Sequence, residues 1–357
     1  MRATARNTVV RLRWSLGKCT FAKRTKEHGL QIMPKAIRSD FDNNRTTGFA
    51  MPGLFRGKPG TVAQQVHDGD TLDVVPNGNI AVRLLGIDTP EVSFVFPGPG
   101  SKFVDLQDDR WNEFLQDPFH AKWGQFTTAV PAALKSWIQS KVVGEPGTVH
   151  HDHAAAATTE LRSLISRDME IMGQDVSTFG YYLGFGFEVM DAYGRFLCTI
   201  NRNQPDRSKP TPRPPTYNLR LLERGRAFPY FIWPNMNPWD RPDSVTKAVI
   251  PPGKAKLLAE NDRELLTART AVQAARAQHR GIFDAMNPLL LEPFELRFLS
   301  RRELPGRYVI DLTSDSNTLI HPHNYYRVPL PEDRLWIPSS YAPLFEKAGW
   351  KSEPQPK

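Results

Sequence analysis

Carboxylates and arginines crowd two short stretches of the sequence, Asp68-Gly69-Asp70-Thr71 and Arg83-Leu84-Leu85-Gly86-Ile87-Asp88-Thr89-Pro90-Glu91. Aspartate and glutamate oxygens are hard donors of the kind Ca²⁺ takes, six to eight at a time. An arginine fork can grip two oxygens of one phosphate, which a lysine cannot reproduce. The two stretches therefore look like a metal and phosphate site. Neither contains Cys or His, which argues against zinc.

These side chains need a scaffold that brings them together. Strands are expected at Thr61 to Val66 and Thr71 to Val75, joined by a reversal at Asp68-Gly69-Asp70. A second reversal at Pro76-Asn77-Gly78-Asn79 leads into a third strand, Ile80 to Ile87, so three antiparallel strands should follow one another. Strict alternation along the third would put Arg83 and Asp88 on opposite faces. For both to reach one site the strand must bend, and Gly86 is the natural place. Tyr181 to Met190 and Arg195 to Ile200 read as a fourth and fifth strand, turning at Asp191-Ala192-Tyr193-Gly194.

Taken in order, Asp-Gly-Asp-Thr, Arg-Leu-Leu-Gly-Ile-Asp-Thr-Pro-Glu and Asp191-Ala192-Tyr193-Gly194-Arg195 resemble the signature of the staphylococcal nuclease-like (thermonuclease) family. The resemblance continues at Asn218-Leu219-Arg220-Leu221-Leu222-Glu223-Arg224-Gly225 and covers roughly residues 57 to 285. It implies an α+β fold, a five-stranded OB-type barrel with helices packed on it. It implies Asp70, Asp88 and the Thr89 carbonyl as Ca²⁺ ligands, with Asp68 just outside the ligand shell. Arg83 and Arg195 become the catalytic pair, and Glu91 holds the attacking water as general base or orienting acceptor. The implied activity is endonucleolytic, Ca²⁺-dependent hydrolysis of DNA and RNA by in-line water attack, leaving 3′-phosphate ends. Phe231 and Trp233 match rings that lie beside the bound nucleotide, and Tyr193 joins them as a candidate nucleic-acid contact; base stacking on such rings contributes about 1–3 kcal/mol per base. Ala192 departs from the pattern, standing where the family often has a charged residue. The rival reading is a catalytically silent scaffold of the same fold that binds nucleic acid or protein.

Composition bounds the rest. The chain has 357 residues, 24% charged and 40% hydrophobic, as in soluble globular proteins. No apolar run is long enough to cross a bilayer. The net charge of +8 is uneven: residues 1 to 60 hold 13 Lys/Arg against 3 Asp/Glu, and the remainder 33 against 35. A nearly neutral body must therefore bind a polyanion through locally placed arginines. With only Cys19 and Cys198 a disulfide framework is not expected, and Cys198 reads as a buried core thiol.

The basic leader reads as a disordered arm running into linker over residues 1–56, with residues 40 to 58 as linker. A cytoplasmic location is expected, organellar targeting by the leader is the alternative, and secretion by a classical signal peptide is disfavoured because the leader has no long apolar stretch. Residues 57–285 form the nuclease-like domain and 288–357 a small β-rich module, including Phe294 to Leu299 and Arg307 to Leu312. A long insertion occupies about 92–178, and a partner could dock there or on the C-terminal module; a monomer is expected. Within the insertion Val92 to Ala121 reads as a loop, and Phe126, Val130, Leu134, Trp137 and Ile138 as one helix face. Thr158 to Met172 reads as a second helix. His150-His151-Asp152-His153 reads as a solvated loop, with a transition-metal cluster as the alternative. Gly253 to Arg280 is the clearest helical pattern, and His321-Pro322-His323 reads as surface.

Overall fold

The computed structural model describes residues 35–40, 45–59, 61, 64, 73–98, 102–239 and 242–356. The expected strand at Thr61 to Val66 lies mostly outside them, and of Thr71 to Val75 only Asp73 to Val75 are described. Residues expected as linker carry short strands. β1 (Ile37–Asp40) pairs antiparallel with β2 (Arg45–Gly48). β3 (Ala50–Pro52) is followed by the hairpin of β4 (Leu54–Phe55) and β5 (Lys58–Pro59), and pairs antiparallel with β6 (Val74–Pro76).

The third expected strand divides where glycine was needed. β7 (Val82–Leu84) and β8 (Gly86–Asp88) are separated at Leu85, and Gly86 has φ +73°, a conformation costly for any residue with a Cβ. The break passes the chain from one sheet to another. β7 runs parallel to β12 (Phe196–Arg202), with Leu197 opposite Arg83, and β11 (Tyr181–Met190) lies antiparallel on the far side of β12. β8 instead runs antiparallel to β13 (Phe228–Ile232), with Asp88 opposite Phe228. Among the described residues β7 therefore pairs with β12 and not with a preceding strand, contrary to the expected succession of three. Asn218 closes the seam: its amide donates to the Leu85 carbonyl at 2.8 Å and its oxygen accepts from Ile200 N–H at 3.1 Å. The whole is α+β, with several small sheets and, among the described residues, no closed barrel.

Between β8 and β11 the expected loop contains regular structure. β9 (Ser93–Val95) pairs with β10 (Phe103–Asp105), and Asp108 caps α1 (Asp109–Gln116) by accepting from Arg110 N–H. Trp111, Phe114 and Leu115 are completely buried, each contributing about 1.5–3 kcal/mol. Pro131 caps α2 (Ala132–Gln139), so that helix starts after the proline. α3 (Pro146–Met172) starts well before Thr158 and absorbs the histidine cluster.

Thr216 caps α4 (Tyr217–Glu223), and the long pattern after Gly253 splits into α5 (Ala255–Asn261) and α6 (Arg263–Ala277). Asp262 makes the break because its carboxylate caps α6 through Leu265 N–H. Ile87, the free thiol residue Cys198, Leu221, Leu222 and Val272 pack together between sheet and helices.

The stretch after Asn287 carries helices as well as strands and packs into the body. Its elements are α7 (Pro293–Arg301), β14 (Arg307–Asp311), β15 (Thr318–Leu319), β16 (Arg334–Pro338), α8 (Ala342–Lys347) and β17 (Lys351–Ser352). β16 lies between β14 and β13, giving the sheet order β14-β16-β13-β8. Phe294 to Leu299, expected within a β-rich module, is helical because Pro293 opens the helix and Glu292 with Glu295 forms a reciprocal capping box. His323 of the His-Pro-His stretch is buried. Among the described residues no helix is long and apolar enough to cross a membrane.

Candidate active site

The Gly86 bend turns Arg83 and Asp88 toward each other, and an Arg83 Nη2 donates to Asp88 Oδ1 at 3.3 Å. Asp88 is only 4% exposed, so its charge needs partners other than water. The stronger partner comes from α7. Arg297 donates from Nη2 to Asp88 Oδ2 at 2.6 Å and from Nη1 to Oδ1 at 3.0 Å, the two-point fork that suits a carboxylate. The same Nη1 reaches Glu91 Oε1 at 3.0 Å. Burial is the largest single influence and would lower the Arg297 pKa, but the Asp88 charge and hydrogen bonds together with Tyr230 and Glu91 raise it on balance. For Glu91 burial dominates and raises the carboxyl pKa, Arg297 pulling down and Asp88 pushing up.

Both ends of this arrangement are fixed from behind. Glu295, on the first turn of α7, accepts from Lys141 at 2.8 Å, from the Tyr325 hydroxyl at 2.6 Å and from Trp137 Nε1 at 3.0 Å. Glu91 N–H donates to His150 Nδ1 at 3.3 Å, and His150 Nε2 lies 3.0 Å from the Leu291 carbonyl. Nδ1 must be the acceptor, so the proton sits on Nε2 and the ring is neutral. Burial pushes its pKa down to about 3. His153 Nε2 meets the Asn287 carbonyl at 2.8 Å. The histidine cluster is thus neither a solvated loop nor a metal site: His150 and His153 are buried on α3, tying down the approach to α7.

Arg195 precedes β12, two residues before Leu197, which is opposite Arg83; the period of two puts both arginines on one face. Its Nε donates to Asp191 Oδ2 at 2.8 Å, and its guanidinium lies 5.1 Å from the Tyr193 ring centre. Arg301, one turn beyond Arg297 on α7, donates to the Tyr193 hydroxyl at 3.2 Å. α7 thereby touches both halves, Asp88 with Glu91 through Arg297 and the Tyr193–Arg195 turn through Arg301. Tyr193 is exposed, whereas Phe231 and Trp233, expected as stacking rings, are 5% and 0% exposed. They belong to the core with Leu265, Leu335 and Phe345, and Trp233 Nε1 donates to Ala248 O at 2.9 Å, leaving no ring face for a base.

Asp68 and Asp70 lie outside the described residues, and Thr89 is exposed on the short link to Glu91. The donor chemistry of Asp88 and Glu91 suits a hard cation. Both Asp88 oxygens accept hydrogen bonds from Arg297, so a cation bound there would share them with that guanidinium.

Arg297 was not legible as a site residue. It lies 209 positions from Asp88, outside the stretch that carries the resemblance. The available signal was the helix start at Glu292-Pro293-Phe294-Glu295, which places Arg297 and Arg301 on one face.

The site thus holds two carboxylates clamped by arginines, with half-buried Arg195 and exposed Arg301 meeting at Tyr193. No family model matches the chain, and no solved structure matches it. Over 166 residues it is 28% identical to Endonuclease YhcR of Bacillus subtilis (strain 168). That match covers 46% of this chain and 10% of the relative, so a distant relative carries the name of an endonuclease while the shared portion is a small part of it.

Proposed function

We propose that the chain is a nuclease that hydrolyses phosphodiester bonds of DNA and RNA by in-line attack of water. The observation that carries the reading is the convergence of Arg83 and Arg297 on Asp88, with Glu91 held by the same Arg297 and Arg301 of that helix reaching Tyr193 beside Arg195. Hydrolysis needs positive charge where the pentacovalent phosphorus gathers negative charge, and a group to take the water's proton. Arg83 and Arg195 supply the first. Asp88, by holding Arg83 through a charged hydrogen bond, fixes the direction of its fork. Glu91 supplies the second, and its raised pKa makes it a better proton acceptor than an exposed glutamate. Cutting within strands to leave 3′-phosphate ends follows from the family resemblance. The same reading makes β11, β12 and β7, with the strands expected at 61–66 and 71–75, the wall of a five-stranded OB-type barrel.

The resemblance also implies Ca²⁺ on Asp70, Asp88 and the Thr89 carbonyl, where it would share Asp88 with Arg297. No step is assigned to the ion. A second reading is favoured by one observation: Asp88 and Glu91 are already paired with Arg297, as in a structural ion network, which suits a nucleic-acid-binding scaffold without catalysis. Incubation of the purified chain with plasmid DNA and with RNA, in calcium and in chelator, separates these. Cutting in calcium that stops in chelator supports the ion-dependent nuclease, cutting in both supports hydrolysis without the ion, and binding with no cutting in either supports the scaffold.

A further inference from the structure

A second cluster of arginines surrounds a cleft of about 210 Å³ between α3, the end of β12, the proline-rich loop that follows it and α4. Its floor is a buried triad. Asp168, 2% exposed, accepts from Arg202 Nη1 at 3.2 Å, from Arg220 Nη2 at 2.7 Å and from the Tyr217 hydroxyl at 2.8 Å. Two guanidinium groups thus share one carboxylate, leaving a positive charge over. The remaining Arg202 donors end on neutral oxygens, Gln204 Oε1 at 2.7 Å and Thr211 Oγ1 at 2.9 Å. Arg202 is 1% and Arg220 8% exposed, so water does little to disperse that charge. Arg220 Nε is buried and has no acceptor at all.

Such an arrangement costs free energy unless an anion completes it, because buried charges need a counter-charge and buried donors an acceptor. On the rim Arg167 adds to the excess, while Arg224 is offset by Glu160. Arg167 and Arg224 line the same cleft. Arg224 pairs with Glu160 at 3.2 Å, while Arg167 is exposed and makes no ion pair or hydrogen bond among the described residues. Of the acids that interact with these arginines only Asp168 lines the cleft; Glu223, near Arg220 and Arg224, hydrogen-bonds neither through its carboxylate. The cleft is several times the roughly 30 Å³ share of one water molecule, room for a tetrahedral anion and its attachment.

From this geometry we infer a phosphate-binding site, formed by Arg167, Arg202, Arg220 and Arg224 and separate from the Asp88 site. The ligand is a phosphate group, met either on a small phosphorylated compound or in the backbone of a nucleic-acid strand. Arginine forks give two-point contacts to such an anion. The inference does not rest on nuclease activity.

The test titrates the full chain with inorganic phosphate by calorimetry, at ionic strength held constant with chloride. Arg167→Gln with Arg224→Gln changes only the exposed rim and spares the buried triad, and circular dichroism checks that the fold is kept. A saturable phosphate site weakened at least ten-fold in this double variant and kept in Lys247→Gln, an exposed position in neither arginine cluster, is the expected result. Absence of saturable binding, undiminished binding in the rim variant, or an equal loss in Lys247→Gln overturns the inference. A short oligonucleotide with uncleavable linkages distinguishes the sources while supporting the site either way: weakening by the rim variant points to backbone phosphate, and no change points to the small compound.

Discussion

Replacing Arg297 by Met keeps much of the side-chain volume and removes the fork that clamps Asp88 and Glu91. Breaking a buried ion pair from one side costs about 3–5 kcal/mol. Arg83 still donates to Asp88 Oδ1 at 3.3 Å in the variant, so the loss belongs at the lower end. About 3 kcal/mol corresponds to a fall in melting temperature of roughly 6–12 °C for a domain of 150–250 residues, and somewhat less for a larger unit.

The same change has a signature in pH. Arg297 lowers the Glu91 pKa while burial and Asp88 raise it, so its removal moves that pKa further up. If Glu91 acts as base, the acid limb of the activity profile moves to higher pH in Arg297→Met. The assay for the pairing is a double-mutant cycle with Asp88→Asn, read by urea melts. Contact predicts a coupling of about 0.5–3 kcal/mol. Additive losses within about 0.5 kcal/mol, the agreement found for independent sites, would refute the reasoning.

Other expectations concern the rest of the site. Arg195→Ala should lower kcat by about 10²–10³, as loss of one donor to a developing oxyanion does; a loss below ten-fold removes Arg195 from the machinery. Glu91→Gln should abolish cutting without loss of stability. Because the folded-state pKa of Glu91 is raised, the native protein binds its proton more tightly than the unfolded chain, and stability falls as pH rises from the ordinary carboxyl value near 4.5 through the folded value. The variant should therefore gain stability relative to wild type at pH 7 compared with pH 4, which thermal melts at both pH values check.

His150 carries the opposite sign. Its folded pKa is depressed from 6.5 to about 3, so its contribution is intact above the unfolded value and is lost as pH falls through that interval. His150→Gln should destabilise at neutral pH, by about 1–3 kcal/mol for each buried backbone group left unpaired, and flatten the acid limb of stability between pH 6.5 and 3. An unchanged acid limb in urea melts would count against the neutral bridge. Trp233→Leu should lower stability with little effect on nucleic-acid affinity measured by fluorescence anisotropy, since the ring is in the core.

What could be read from the sequence was local. Gly86 lay between two charged residues that alternation put on opposite faces, and only a positive-φ bend reconciles them; that bend is present. The strand Tyr181 to Met190 carries its own pattern and keeps those bounds. The misses depend on distant parts of the chain. α1 is eight residues long, too short for a periodic signal, and its burial comes from packing against other elements. The aromatic run at Phe231 to Trp233 looked like a binding surface because nothing in it announces β16, whose Leu335 and Trp336 lie beside Phe231 and Ile232. Arg297 joins Asp88 only because Lys141, Trp137 and Tyr325 anchor Glu295 at the start of its helix.

The central claim is that arginines held beside Asp88 and Glu91 cut a phosphodiester bond. The most direct measurement compares wild type with Arg83→Ala in single-turnover cleavage of an end-labelled oligonucleotide, under whichever of the calcium and chelator conditions supports cutting. The account predicts cleavage by wild type and a rate about 10²–10³ lower in the variant. Equal rates, or no cleavage by the wild type under either condition, would contradict it.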